Sequence, residues 1–119
     1  MTVETIDVGW NPIDITVRLV AQQDWTINIA LEEDIPEGTT VVCNVYPPGT
    51  QKLSPSDWEV PEVWPATVTT DNVSWHVNSE LTDLIPAKSY VRWMISYPID
   101  ESGDFDDYCW AKGLVVRDD

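Results

Sequence analysis

Two long runs near the C-terminus, residues 89–97 and 108–116, limit what this chain can fold into more than any other feature. In the first, Val91, Trp93, Ile95 and Tyr97 fall on one side of an extended backbone. Tyr90, Arg92, Met94 and Ser96 fall on the other, because successive side chains of a strand point to opposite faces. The stretch between the runs, residues 100–107, is acidic and contains Gly103, so the pair reads as a β-hairpin. In the second run the alternation sets Tyr108, Trp110, Leu114 and Val116 toward the core, with Lys112 breaking the pattern and Gly113 marking a bulge.

The rest of the chain carries the same kind of signal. Residues 15–20 and 25–31 alternate, and in the latter Trp25, Ile27, Ile29 and Leu31 share a face. Residues 32–38 form a turn punctuated by Pro36 and Gly38. Residues 39–46 are rich in β-branched side chains and stop at Pro47-Pro48, because proline donates no ladder hydrogen bond. Residues 67–70 and 73–77 read as a hairpin through Asp71-Asn72, with Val73, Trp75 and Val77 inward. No segment shows the periodicity of a long amphipathic helix. The expectation is an all-β fold: an antiparallel β-sandwich of about seven strands, immunoglobulin-like in size. Its core is expected to contain Trp25, Ile27, Ile29, Trp75, Val77, Trp93 and Ile95, so Trp75→Ala or Trp93→Ala should cost about 3–5 kcal/mol.

Residues 47–63 are an irregular insertion rich in proline and tryptophan. A helical turn is expected at residues 54–57, with Ser54 as cap and Pro55 in its first position. Trp58 and Trp64 either pin this loop to the sandwich edge or face a partner.

A chain of 119 residues is one domain, 1–119. Its 21 acidic residues against six basic ones give a net charge of −15. Such a charge repels phosphate backbones and anionic headgroups, so neither nucleic acid nor a membrane is expected as a partner, and a basic protein surface is. Cys43 and Cys109 lie in apolar strand patterns without metal spacing and read as free, small hydrophobes. A disulfide would require their strands to be neighbours. No apolar run reaches the ~18 residues of a membrane span, and the N-terminus lacks a signal peptide's pattern, so synthesis in a cytoplasm is expected.

Catalytic chemistry has no foothold. The single histidine, His76, is set on the strand face opposite Trp75 and Val77, and no nucleophile elbow or phosphate loop is present. No enzyme activity and no cofactor are expected. The acidic residues 100–107 offer oxygens for a hard cation but do not match a calcium loop. No metal site is assigned; solvation is the expected relief of their repulsion, with a basic partner surface as the functional alternative and calcium third. A carbohydrate-binding sandwich is the rival reading, with Trp10, Trp58 and Trp64 left to supply a stacking platform.

Some residues also carry a family resemblance. The strand 15–20 follows a short leader. Then come the turn Ile35-Pro36-Glu37-Gly38-Thr39 and a strand ending in Tyr46-Pro47-Pro48. A Thr82-Asp83 and Ile85-Pro86 turn precedes the long Tyr/Trp strand, and Trp110-Ala111-Lys112-Gly113-Leu114-Val115-Val116 closes the chain. This order resembles the small β-sandwich virion proteins of tailed actinobacteriophages, related in pattern to the N-terminal module of phage baseplate upper proteins. The insertion at 47–63 is longer than that pattern, and no receptor-binding part follows the sandwich. The resemblance therefore implies a stand-alone virion component made in the host cytoplasm: a capsid decoration or minor capsid protein docking on the shell. A tail- or baseplate-associated module is the alternative. The implied partners are phage capsid or tail proteins with a basic surface, and self-association into a homo-oligomer is left open. Trp10, Trp58, Trp64, Asp104, Asp106 and Asp107 are the candidate partner contacts.

Overall fold

The computed structural model describes residues 12–99 and 104–119. Among them are eight strands and one short helix, in the order β1 (Ile13–Leu19), β2 (Trp25–Ala30), β3 (Thr40–Tyr46), β4 (Glu62–Pro65), β5 (Thr67–Val68), β6 (Asn72–Val77), α1 (Ser79–Thr82), β7 (Tyr90–Pro98) and β8 (Phe105–Arg117). They form two sheets, β1-β8-β7-β3-β4 and β2-β6-β5, packed face to face as a β-sandwich.

Most ladders are antiparallel, but β1 runs parallel to β8, with Ile13 opposite Ala111 and Leu19 opposite Arg117. The expected antiparallel sandwich is thus an eight-stranded one with a parallel first–last pair. The additional strand is β4. It is carved from the end of the Pro/Trp-rich insertion and pairs with β3, Cys43 opposite Trp64. One residue later the chain crosses to the smaller sheet as β5. Ala66 holds the crossing by donating its N–H to the Val41 carbonyl at 2.9 Å. Pro65 is tolerated because β4 is an edge strand.

Side chains from both inner faces fill the core. Val41, Cys43 and Val45 of β3, Val91, Trp93 and Ile95 of β7, and Val17 and Leu19 of β1 meet Trp25, Val73, Trp75 and Val77 of the smaller sheet. Trp75 is the centre of this packing. Its ring lies 4.7 Å from Trp93 and 5.7 Å from Trp25, and its indole N–H donates to the Trp64 carbonyl at 2.8 Å. Five of the expected core residues are buried, whereas Ile27 and Ile29 are only half-buried. The reason is that β2, among the described residues, has a strand neighbour on one side only.

The expected inner face of the last strand is corrected in its second half. Trp93 pairs with Ala111 but Met94 pairs with Cys109, so Trp110 is an extra residue in β8. This bulge shifts the phase of the strand. Tyr108 and Trp110 pack on the core before it, and Ala111 and Val115 after it, while Leu114 and Val116 turn outward. The bulge is not at Gly113. There the Ile15 carbonyl oxygen passes 1.7 Å from where a Cβ would sit, so only glycine lets β1 and β8 approach this closely.

The insertion carries two 3-10 turns, Thr50–Lys52 and Pro55–Asp57. Pro55 takes the first position as expected, but the Ser54 side chain makes no capping hydrogen bond. Cys43 and Cys109 are free. Their strands β3 and β8 are separated by β7, so no disulfide links them.

Candidate docking surface

The two ends of the sandwich differ in charge. At one end the loop after β2, the β5–β6 turn and the start of β8 converge. Leu31 and Ile35 donate their backbone N–H groups to the carbonyls of Asp71 and Thr70, each at 2.8 Å. A Cβ on Gly38 would lie 3.6 Å from Pro98. These contacts gather exposed carboxylates: Glu32, Glu33, Asp34 and Glu37 from the first loop, Asp71 from the turn, Asp106 and Asp107 from β8, and Asp104 just before it. None of the chain's six basic residues lies on these segments.

At the opposite end arginines pair with some of the carboxylates. Arg18 meets Asp118 at 2.8 Å. Arg117 donates to Asp119 through Nε at 2.9 Å and to the carbonyls of Thr82 and Ile85 through Nη1 at 2.8 and 2.9 Å. That hydrogen bond holds the Asp119 carboxyl below the usual aspartate range. Two large apolar side chains, Val60 and Leu84, are also left in solvent here.

A groove of about 440 Å³ opens at the acidic end, between β2 and the strands β7 and β8. Ile29, Leu31, Ile35, Ile95, Tyr97 and Trp110 form its apolar lining, and Glu32, Glu33 and Asp34 its rim. Burial, reinforced by Tyr108, raises the Tyr97 phenol above its ordinary value. The arrangement combines an apolar floor, carried by strands β2, β7 and β8 and by the loop after β2, with an acidic rim from the same loop.

The residues expected to contact a partner fall into separate groups. Asp104, Asp106 and Asp107 are exposed at the acidic end, where Asp107 accepts a hydrogen bond from the Ser96 hydroxyl at 2.6 Å. Trp64 is corrected: it is 2% exposed and packs 5.9 Å from Trp25, so it belongs to the core and not to a partner surface. Trp58 is half-buried against Tyr46 at 5.1 Å and Tyr90 at 5.8 Å, under the Arg92 guanidinium at 5.3 Å. Its indole N–H donates to the Leu53 carbonyl at 3.2 Å. It therefore pins the insertion to the outer face of the larger sheet. Trp10 and residues 100–103 lie outside the described residues. Trp58 and Trp64 thus form no shared flat platform for a sugar ring.

Elsewhere, His76 is exposed on the face opposite Trp75 and lies 3.0 Å from Asp24. Cys43 is fully buried, and burial pushes its thiol up to about 12, against a smaller opposing pull from Trp93. No helix among the described residues is long and apolar enough to cross a membrane. The groove itself was missed in the sequence. Its signal was the acidic run Glu32-Glu33-Asp34 set directly against Leu31 and Ile35, which reads equally as a solvated turn.

The family model of the LtfC-like, beta-sandwich domain matches residues 11–118. No curated protein matches the chain.

Proposed function

We propose that this chain, which belongs to the LtfC-like β-sandwich domain family, is a structural module of a tailed-phage particle that acts by docking. The observation that carries the reading is one end of the sandwich with clustered carboxylates, no basic residue on its segments and an apolar groove. A field of one sign steers encounter with a surface of the other sign, and apolar contacts then hold the docked state. In this reading the chain docks and is assigned no catalytic role.

Within the particle, the capsid shell is the site we favour, with the chain as a decoration or minor capsid protein bound to a basic patch. Placement in the tail or baseplate is the alternative. Fractionation of purified particles tests the reading: the chain should co-migrate with capsid fractions and be released as salt rises, since exposed charge pairs are screened within about 8 Å at physiological ionic strength. Its absence from all particle fractions refutes the reading, and its recovery with tails alone moves it to the alternative.

A further inference from the structure

We propose that the groove binds an extended, basic segment of another protein. An apolar side chain of that segment enters between Ile35, Tyr97 and Trp110, and its cations meet Glu32 and Asp34. The inference rests on the docking reading of this end and narrows it from a surface to a peptide-like ligand.

Shape, charge and position agree on that ligand. About 440 Å³ holds a few side chains and not a folded edge. The groove runs beside Ile29 and Ala30 of β2, which among the described residues has a strand neighbour on one side only. An extended segment laid there lies parallel to an existing strand and presents alternate side chains to the floor and the rim. Charge selects the source. A second copy of the chain carries −15 and would be repelled. The chain's own leader, residues 1–11, has Glu4 and Asp7 and no basic residue, so it does not complement the rim. What complements it is a lysine- or arginine-bearing segment from elsewhere.

The test is calorimetric titration with three synthetic hexapeptides. One alternates lysine with leucine, one replaces lysine by glutamate, and one replaces leucine by serine. The lysine–leucine peptide should bind and the glutamate peptide should not. The serine peptide should bind more weakly, for want of an apolar anchor. The double variant Glu32→Gln, Asp34→Asn alters only exposed side chains and should keep its melting temperature while binding about tenfold more weakly, the effect of losing two partly exposed ion pairs. Ile35→Ser should weaken binding without changing its salt dependence. No binding by the parent protein, binding of the glutamate peptide, or equal affinity in parent and both variants overturns the proposal. Particle fractionation separates this from the broader reading. A chain present on particles but blind to the lysine–leucine peptide refutes the groove alone, whereas a chain absent from particles removes the docking module on which the proposal stands.

Discussion

Replacing Gly113 with alanine is the sharpest challenge to the way the first and last strands are joined. The added Cβ would sit 1.7 Å from the Ile15 carbonyl oxygen and 2.7 Å from its carbon, both backbone atoms that cannot rotate aside. Carbon and carbonyl oxygen rest at roughly 3.3 Å at their closest. The strands must therefore part by about 1.6 Å at Ile15. A displacement of that size breaks two or three ladder hydrogen bonds, each worth about 1 kcal/mol. It also loosens Val17 and Leu19, both 2% exposed, for roughly 1–2 kcal/mol more. The expected loss is about 3–5 kcal/mol, a fall in urea midpoint of roughly 1.5–2.5 M for a slope near 2 kcal/mol per molar. Urea unfolding followed by tryptophan fluorescence measures it. Gly49→Ala is the control. Its φ of +88° disfavours alanine but nothing lies within 4 Å, so about 1–2 kcal/mol is expected. A Gly113→Ala protein with the parent midpoint would show that β1 and β8 are not paired in this register.

Trp75→Ala should cost about 3–5 kcal/mol, since it empties the centre of the core and strips the Trp64 carbonyl of its donor; thermal melting checks it. A thiol reagent added to native protein should modify Cys109, which is half-buried, and spare Cys43 until urea unfolds the chain. Arg117→Met removes two hydrogen bonds to the 82–85 turn and should destabilise by about 1–3 kcal/mol in denaturant titration. Asp119 has a lowered pKa, so its contribution is present above the ordinary aspartate value and lost as pH falls through the lowered one. That acid-dependent part of the stability should vanish in Asp119→Asn.

The fold was legible wherever strand alternation ran unbroken. Residues 73–77 and 89–97 face as their spacing dictates, because each strand has one face on the core and a slip of one residue would expose it. The spacing failed at the bulge, since inserting Trp110 changes no composition and leaves both halves of β8 alternating. Trp64 was misread for a local reason: Pro61 precedes its strand and Pro65 ends it, and prolines so close together signal a loop. The parallel β1–β8 ladder joins residues about a hundred apart and has no local mark. The groove escaped for a related reason. Its wall is assembled from residues 29–36, Ile95, Tyr97 and Trp110, which only the tertiary fold brings together.

The parallel pairing of β1 and β8 also determines how the domain answers tension. A pull on the chain before β1 and after β8 acts along both strand axes in opposite directions, because Ile13 and Ala111 start the ladder together and Leu19 and Arg117 end it together. The rungs are then loaded in shear and must fail together, whereas a hairpin pulled from its open end unzips one rung at a time. A module strung between two anchors in this way would yield only at high force. Its resistance would be set by how fast this one ladder ruptures and not by the equilibrium stability of the whole sandwich.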